Sequence, residues 1–391
     1  MPQAIHIPAS KSISNRLLIL QALYPTIEIQ NLSTAQDTRV LQKALHQTDN
    51  YINIGHAGTA MRFLTAYLST LEGKEFVLDG SARMRQRPIA ILVDALRQIG
   101  ATIEYMKEDG YPPLKITGQK ICKNTIEIDA SVSSQYISAL LLIGAKLPNG
   151  LQIKLKEKSV SKPYVDMTLA LLEKLEIKTN LQGNIINIQA TKEVQKNSFI
   201  IESDWSSASY FYGYLAVTRK QVIRLKYFQQ NSLQGDSQLI KLFEKLGVTT
   251  TFYNDNQIEL SGNPNFSLAR KLSLNLLEMP DLAQTFAVVC LALKINCHLS
   301  GLQTLRIKET DRLLALKNEM EKLGAMVHIT DSTLELVPPS QLKQNVSIKT
   351  YDDHRMAMSF AIFQKIIPLN IENKEVVAKS FPNFWELFGG V

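Results

Sequence analysis

The chain has 391 residues, of which 45% are hydrophobic and 20% are charged. This length and composition suffice for two or three domains with cores of their own. No apolar run approaches the ~18 residues that a membrane span needs, and the first residues lack the basic and then apolar pattern of a secretion signal. We therefore expect a cytoplasmic protein that does not enter a membrane.

The three cysteines and the formal net charge of +7 narrow further the class of protein to which the chain can belong. Cys122, Cys290 and Cys297 are too scattered for a disulfide framework, and no CxxC or HExxH spacing indicates zinc. We expect neither a metal nor a cofactor. The basic residues form no long run with interleaved aromatics, so the positive charge favours small anionic ligands over nucleic acid.

Amphipathic helices recur along the chain. They begin near residues 37, 88, 163, 236, 311 and 382, usually at Asp or Pro, which are favoured at helix starts. Three of them close alike, with RQIGA at 97–101, EKLGV at 244–248 and EKLGA at 321–325. The recurrence predicts a repeated structural unit.

Helices of a second kind, apolar nearly all round and hence buried, alternate with the first kind. They are predicted at 13–23, 59–68, 136–147, 208–217, 282–293 and 354–363. Polar residues crowd their starts, where caps can satisfy the free backbone N–H groups. Capping does not explain Lys11, Arg16 or Arg355.

Short β-branched runs between the helices, such as TIEI at 125–128, complete an α/β chain of six βαβαββ-like units. The first interval between amphipathic helices is shorter than the others by about two strands of ~5–6 residues each. We place this loss at 47–55.

The segment RIKETDR at 306–312 places three cations and two carboxylates at the start of a helix. Guanidinium groups bind phosphate or carboxylate oxygens bidentately, and the helix N-terminus offers free N–H groups. Glu309 would then have an acid or base role. The alternative is a solvated charged turn ahead of an amphipathic helix.

Eleven motifs, in order along nearly the whole chain, resemble those of the 5-enolpyruvylshikimate-3-phosphate synthases. They are SKSISNR (10–16), AGTAMR (57–62), RMRQRP (83–88), SSQ (133–135), SKPY (161–164), SSASY (206–210), QGD (234–236), PD (280–281), KETDR (308–312), DHRMAM (353–358) and AKSFP (378–382). Any one motif is weak evidence, whereas eleven in order are very specific.

The resemblance implies the two-domain enolpyruvyl transferase fold, with three βαβαββ-like units around buried helices in each domain. The N-terminal domain, on the shikimate phosphate side, would span 11–201, and the C-terminal domain would comprise 1–10 and 202–391. Chain crossings near residues 10 and 201 would form a hinge, and the helix N-termini of both domains would face a positively charged cleft.

The activity implied is transfer of the enolpyruvyl group of phosphoenolpyruvate to the 5-hydroxyl of shikimate 3-phosphate, with release of phosphate. In this family the reaction proceeds by addition and elimination through a tetrahedral intermediate. It belongs to the shikimate pathway, which leads to chorismate and the aromatic amino acids. The expected partners are these two small molecules, and the expected state is a monomer.

The resemblance also assigns roles to individual residues. Asp281 would take the hydroxyl proton, Glu309 would protonate the methylene carbon and Lys11 would stabilise charge. Phosphoenolpyruvate binding falls to Lys11, Gly58, Arg87, Gln135, Arg312, Arg355 and Lys379. Shikimate 3-phosphate binding falls to Lys11, Ser12, Arg16, Ser133, Ser134, Gln135, Ser161, Tyr164, Asp281 and Lys308.

Structural explanations stand beside some of these roles. Asp281 could cap its helix, Arg16 could pack its stem over the core, and His354 could be a core histidine. The chain also departs from the family pattern at His56, Phe63 and Thr304. The first two flank the phosphoenolpyruvate pocket, so they bear on substrate affinity and inhibitor sensitivity.

Rival functions remain at this point. An enolpyruvyl transferase acting on a UDP-sugar would share the fold but typically uses a loop cysteine, and Cys122 lies in a strand-like stretch, 120–128. A binding protein that has lost turnover is disfavoured because Lys11, Asp281 and Glu309 are all present. A nucleic-acid binder is disfavoured because the sequence has no basic stripe.

Overall fold

The computed structural model describes residues 4–129, 133–156, 162–219 and 221–391. The chain divides into two compact units. Lys11–Ile201 forms one, called here the N-terminal unit, and Met1–Ser10 with Glu202–Val391 forms the other, the C-terminal unit. The two units are described separately.

Within its described residues the N-terminal unit contains six α-helices and ten strands. The helices are α1 (Lys11–Leu23), α2 (Gln36–His46), α3 (Gly58–Leu68), α4 (Ala90–Gln98), α5 (Ser134–Gly144) and α6 (Lys162–Lys174). The strands are β1 (Ile27–Gln30), β2 (Tyr51–Asn53), β3 (Glu75–Asp79), β4 (Thr102–Tyr105), β5 (Leu114–Thr117), β6 (Thr125–Ile128), β7 (Leu151–Leu155), β8 (Thr179–Gln182), β9 (Ile185–Ile188) and β10 (Asn197–Ile200).

Three sheets surround the buried helices α1, α3 and α5. Their strand orders are β2-β3-β5-β4, β6-β7-β9-β8 and β1-β10. In each four-stranded sheet the first two strands are parallel and the others are antiparallel. The parallel pairs arise because a buried helix connects them. The predicted βαβαββ unit therefore appears twice in full here.

The C-terminal unit follows the same plan. Its α-helices are α7 (Trp205–Thr218), α8 (Leu239–Glu244), α9 (Ala283–Ala292), α10 (Arg312–Lys322), α11 (His354–Ala361) and α12 (Phe384–Gly389). Its strands are β11 (Val222–Lys226), β12 (Val248–Phe252), β13 (Gln257–Gly262), β14 (Lys271–Asn275), β15 (Asn296–Ser300), β16 (Met326–Ile329), β17 (Leu334–Val337), β18 (Val346–Ile348) and β19 (Leu369–Ile371). The sheet orders are β11-β13-β12, β14-β15-β17-β16 and β18-β19.

The N-terminal segment of the chain joins the C-terminal unit. Ile5 forms a parallel bridge with Leu225 of β11, and the Ser10 N–H donates to the Glu202 carbonyl over 2.8 Å. The core of this unit packs α7, α9 and α11 together, with Phe243 and Phe286 stacked at 4.8 Å between ring centroids.

Glycines end the amphipathic helices where the repeated closing sequences indicate. Gly100, Gly247 and Gly324, which follow α4, α8 and α10, have φ angles of 105°, 81° and 97°. These conformations disfavour residues with a Cβ atom. The recurring glycine therefore reflects the same chain reversal in each unit.

The first repeat is short, as the spacing predicts, because only residues 47–50, all described, connect α2 to β2. The sixth repeat is reduced in the same way, since the sheet of β18 and β19 has two strands. One local prediction is wrong. Cys122 is exposed and lies in the irregular segment before β6, which begins only at Thr125, because the β-branched residues that favour a strand are concentrated at 125–128.

Candidate functional site

The charged segment before α10 has two parts with different roles. Asp311 caps α10, since its Oδ1 accepts the Leu314 N–H over 3.1 Å. Arg306 pairs with Asp311 at 3.0 Å and with the exposed Asp331 at 3.2 Å. The structural explanation is therefore correct for this half of the segment. Lys308, Glu309 and Arg312 belong instead to a cluster with residues from other elements.

This cluster, called the carboxylate cluster, is centred on Asp281 and Glu309. Asp281 Oδ1 lies 3.0 Å from Arg312 Nη1 and 3.6 Å from Lys308 Nζ. Its Oδ2 accepts a hydrogen bond from Arg355 Nη2 over 2.9 Å. Asp281 lies inside the short helix Pro280–Leu282, whose N-cap position is Met279.

Glu309 is the second carboxylate of the cluster. Its Oε2 accepts from Arg312 Nη2 over 2.9 Å, and its Oε1 accepts from Lys379 Nζ over 2.8 Å. Arg312 thus bridges the two carboxylates. Lys379, from the helical segment Lys374–Lys379, binds the other oxygen of Glu309. The C-terminal unit therefore brings together the six predicted residues Asp281, Lys308, Glu309, Arg312, Arg355 and Lys379.

Neighbouring opposite charges shift the pKa values of the groups in the carboxylate cluster. Burial alone would raise the pKa of Asp281, but Arg355, Lys308 and Arg312 outweigh it and hold that pKa well below its ordinary value, against the charge of Glu309. Burial would lower the pKa of Arg312, yet Asp353, Glu309 and Asp281 outweigh it and hold that pKa above its ordinary value. Asp281 is consequently ionised at neutral pH and is surrounded by cations that can also bind anions.

Asp353 completes the cluster and has no assigned role in the sequence analysis. Its Oδ2 accepts from Arg312 Nε over 2.7 Å, and its Oδ1 accepts the Arg355 N–H at the start of α11 over 2.8 Å. It is fully buried, like its neighbour His354. A cap position is visible in the sequence, but a contact with Arg312, far away in the chain, is not.

Asp236 is a further carboxyl near this cluster. It lies in the short helix Gly235–Gln238, and burial followed by the charge of Asp281 raises its pKa to about 8. This raised pKa favours the protonated form of Asp236 at neutral pH, whereas the cations around Asp281 favour its ionised form. The motif QGD marks its position in the sequence, but the protonation state depends on packing.

Lys11 and Arg16 lie on the first turns of α1 in the N-terminal unit. Lys11 Nζ donates to Asp37 Oδ2 over 3.1 Å, and Asp37 is buried in the first turn of α2. Asp37 was predicted only as a helix start, and it fixes the ammonium group of Lys11. Such a pair keeps the cation in place until an anion competes for it.

Arg16 is 2% exposed, and all three nitrogens of its guanidinium donate to protein acceptors. Its partners are Thr168 Oγ1 at 2.8 Å, the Ser12 carbonyl at 2.8 Å, Ser138 Oγ at 3.0 Å and the Tyr164 carbonyl at 3.1 Å. Burial lowers its pKa to about 10. Arg16 thus stays charged at neutral pH and ties α1 to α5 and α6.

Gly58 begins α3 directly against Arg87. A Cβ atom on Gly58 would lie 2.5 Å from Arg87 Nη1 and 2.9 Å from Nη2. The absence of a side chain therefore allows the guanidinium to lie directly against the backbone at the start of α3. Phe63, one of the departures from the family pattern, is buried in α3, with its ring centroid 5.5 Å from the Arg16 guanidinium carbon.

Ser133 and Gln135 organise the start of α5. Ser133 caps the helix through the Gln135 N–H at 3.3 Å, and Gln135 Nε2 donates to Thr59 Oγ1 over 3.2 Å. Ser134 is buried between them. Tyr164 lies on α6 with its ring 6.0 Å from the Arg16 guanidinium carbon. Ser161 lies outside the described residues.

The buried helices α1, α3 and α5 contact one another, and their starts carry six of the predicted residues, Lys11, Ser12, Gly58, Ser133, Ser134 and Gln135. Helix N-termini carry partial positive charge, which adds to Lys11, Arg16 and Arg87. His56, just before α3, is exposed and lies 3.0 Å from Ser81 Oγ through Nδ1.

Neither a metal-binding cluster nor a membrane-spanning helix occurs among the described residues. Within the ranges given above, no group of three or more His, Cys, Asp or Glu side chains is arranged to hold a metal ion. Among the helices of those same ranges, none combines the length and apolar composition needed to cross a membrane.

Known proteins resemble this chain over nearly all of its length. The profile of the EPSP synthase (3-phosphoshikimate 1-carboxyvinyltransferase) family matches residues 41–388. The 3-phosphoshikimate 1-carboxyvinyltransferase of Bacteroides fragilis strain ATCC 25285 is 44% identical over 387 residues, which cover 98% of this chain and 93% of that protein. The enzyme of the same name from Photobacterium profundum is 36% identical, over 98% of this chain and 94% of that protein.

Solved structures agree on the fold. EPSP synthase from Acinetobacter baumannii superposes with a TM-score of 0.77 at 22% identity, covering 99% of this chain and 95% of that one. The enolpyruvyl transferase NikO from Streptomyces tendae gives a TM-score of 0.74 at 13% identity, covering 99% and 94%. These likenesses confirm the enolpyruvyl transferase fold expected from the sequence. With the family profile and the two bacterial relatives, they establish that this chain belongs to the EPSP synthase family.

Proposed function

We propose that this chain is a 3-phosphoshikimate 1-carboxyvinyltransferase of the shikimate pathway. It transfers the enolpyruvyl group of phosphoenolpyruvate to the 5-hydroxyl of shikimate 3-phosphate and releases phosphate. Family membership and 44% identity to an enzyme of that name support the reaction. The observation that carries the chemistry is the carboxylate cluster, in which two carboxylates share Arg312 among further cations.

The binding roles in this proposal follow the charge of the substrates, each of which carries a phosphate and a carboxylate. Arginines bind such groups bidentately, and lysines supply compact charges. Phosphoenolpyruvate is assigned to Lys11, Gly58, Arg87, Gln135, Arg312, Arg355 and Lys379. Shikimate 3-phosphate is assigned to Lys11, Ser12, Arg16, Ser133, Ser134, Gln135, Ser161, Tyr164, Asp281 and Lys308.

The proton transfers belong to Asp281 and Glu309. In the addition step, the 5-hydroxyl oxygen bonds to C2 of phosphoenolpyruvate, Asp281 takes the hydroxyl proton, and Glu309 protonates the C3 methylene. The tetrahedral adduct then loses phosphate, which leaves with the proton that Asp281 had taken. Glu309 takes back a proton from C3 as the double bond returns. Lys11 stabilises the negative charge that develops.

The cations that hold the pKa of Asp281 low also suit this role. Bound anions would compete for Arg312, Arg355 and Lys308 and so weaken their interaction with Asp281. Its pKa would then rise, which makes Asp281 a stronger base when the substrates are present. Binding and proton acceptance are coupled through shared cations.

Phosphate release with each acceptor in turn tests the proposal. With phosphoenolpyruvate and shikimate 3-phosphate, we expect phosphate and an enolpyruvyl product in equal amounts. A UDP-sugar, the acceptor of the rival transferase, should release none. Release with the UDP-sugar and none with shikimate 3-phosphate would reject the proposed function.

Three further statements belong to the same proposal. The compact units, Lys11–Ile201 and the remainder, are proposed as the family's two domains, with the crossings near residues 10 and 201 as their hinge. The protein is proposed to act as a cytoplasmic monomer. Light scattering at the concentration of the activity assay tests the monomer.

A further inference from the structure

Glu319 is a buried charge on the face of α10 that carries Arg312. It lies two helical turns after Arg312, so both side chains project from the same face. Its side chain is 0% exposed. Burying a carboxylate is costly unless partners compensate the charge, so the partners of Glu319 indicate its purpose.

Two of the three partners come from the turn 349–352, which connects β18 to α11. Glu319 Oε1 accepts from the Tyr351 hydroxyl over 2.7 Å, and Oε2 accepts the Lys349 N–H over 3.0 Å. The third partner, Lys322 Nζ at 2.6 Å, comes from α10 itself. Glu319 therefore binds the turn through both of its oxygens.

The turn adopts a conformation that needs such support. Tyr351 and Asp352 have φ angles of 55° and 54°, a left-handed region that residues with a Cβ atom seldom occupy. Such conformations persist when the surroundings hold them in place. Burial, followed by the hydrogen bond to Glu319, raises the pKa of Tyr351 to about 12, so its hydroxyl remains a donor at neutral pH.

The residues that follow the turn belong to the carboxylate cluster. The Asp353 N–H donates back to the Thr350 carbonyl over 2.9 Å, and Asp353 Oδ2 accepts from Arg312 Nε over 2.7 Å. Arg355, the second residue of α11, reaches Asp281 with Nη2 at 2.9 Å. Helix α10 thus holds this segment at two points, through Arg312 at its start and through Glu319 further along.

We propose that Glu319 and Tyr351 are positioning residues, which hold the turn 349–352 so that Arg355 and Asp353 meet Asp281 and Arg312. The inference rests on the proposed function, in which Arg312 and Arg355 bind phosphoenolpyruvate. Neither Glu319 nor Tyr351 touches the substrate. Their loss should weaken phosphoenolpyruvate binding before it affects shikimate 3-phosphate.

Steady-state kinetics of Tyr351→Phe test this, with each substrate varied while the other is saturating. Losing one buried hydrogen bond should raise KM for phosphoenolpyruvate about three- to tenfold. KM for shikimate 3-phosphate should change less than about twofold on the same energy scale. A merely structural role would lower the active fraction, and hence kcat, without separating the two KM values.

Tyr214→Phe is a matched control in the same unit. Tyr214 lies on α7, and its hydroxyl donates to Gln221 Oε1 over 2.6 Å. The substitution removes one comparable hydrogen bond and should leave both KM values unchanged. Glu319→Gln should raise KM for phosphoenolpyruvate in the same direction as Tyr351→Phe. The double variant should show less than the sum of the two effects, because both changes weaken the hydrogen bond that the two residues share.

Three results would overturn the inference. These are an unchanged KM for phosphoenolpyruvate in Tyr351→Phe, an equal rise in both KM values, or additive effects in the double variant. If Glu319→Gln does not fold, Tyr351→Phe against Tyr214→Phe decides alone. The parent protein is assayed first, and a parent that does not turn over the two substrates would reject the proposed function and this inference with it.

Discussion

At the scale of single residues, Asp281 and Asp353 are both aspartates that contact Arg312. Only Asp281 is proposed to take a proton from the substrate. Asp281→Asn keeps the shape of the side chain and one acceptor oxygen, but it cannot take a proton. We expect turnover to fall by about 10²–10⁴-fold in Asp281→Asn, the usual cost of a lost general base. Measured kcat at saturating substrates checks this.

Asp353→Asn is the control, because it alters a neighbouring carboxylate without removing the proposed base. Its turnover should fall less than that of Asp281→Asn. If the two variants lose equal activity, the cluster acts only by holding Arg312, and Asp281 leaves the proton-transfer scheme.

Gly58 gives a second prediction at this scale. In Gly58→Ala the new methyl group overlaps the Arg87 guanidinium, with 2.5 Å between Cβ and Nη1, so Arg87 must move. Weakening one charge-assisted contact of roughly 1.5–3 kcal/mol should raise KM for phosphoenolpyruvate about tenfold or more. KM for shikimate 3-phosphate should respond much less. A normal phosphoenolpyruvate KM would show that Arg87 does not bind this substrate from its observed position.

Residue identities were easier to predict from sequence than residue partnerships. The motifs singled out Asp281, Glu309 and Arg312, and the structure brings them within hydrogen-bonding distance. The pairing of Lys11 with Asp37 could not be foreseen, because it depends on how α1 packs against α2. The left-handed conformation of Tyr351 has no signal in the sequence either, since no glycine or asparagine marks it.

At the scale of elements, the repeated glycines predict a measurable cost. Gly324→Ala places a Cβ atom at φ 97°, and left-handed backbone costs roughly 1–2 kcal/mol per residue with a side chain. We expect the free energy of unfolding to fall by about this amount, as measured by denaturant titration.

Gly389→Ala is the matched control, because Gly389 ends α12 with open space around its Cβ position. Alanine should be neutral or stabilising there, since it is the better helix former. Equal destabilisation by both changes would mean that the backbone angle at Gly324 is not the cause.

Periodicity predicted the elements well where burial is one-sided or complete. The six buried helices lie within a few residues of their predicted positions. A helix that is apolar on all sides is stable only inside a core, so its sequence marks it clearly. Strand boundaries were harder, as the segment around Cys122 illustrates. The reduced sixth repeat went unnoticed because the spacing between helix starts does not report on residues that follow the last helix.

At the scale of the whole molecule, Asp236 should make stability fall as pH rises. Its pKa is about 8 in the folded protein, against an ordinary value of 3.8. Between these values the unfolded chain has lost the proton and the folded chain keeps it, so unfolding releases a proton and is favoured by higher pH. The penalty starts above about pH 4 and is complete above about pH 8.

Asp236→Asn removes the titrating carboxyl group. The melting temperature of the variant should therefore decline less than that of the parent protein between about pH 5 and pH 8. Asp331→Asn is the control, since the Asp331 side chain is 97% exposed. Melting curves recorded at several pH values check the prediction. Parallel declines in Asp236→Asn and the parent would exclude a proton held by Asp236 in the folded protein.

The bridge between Ile5 and Leu225 has a consequence for synthesis on the ribosome. The chain is laid down from its N-terminus, so the segment that completes β11 emerges first and its partner strand emerges only after the entire Lys11–Ile201 unit. That unit is continuous in sequence and closes on itself where β1 pairs with β10. It can therefore fold while translation continues. The first segment cannot form its backbone hydrogen bonds to Arg224 and Lys226 until those residues have been synthesised. Nascent protein should accordingly pass through a state in which one half is native and the opening residues are still accessible to chaperones.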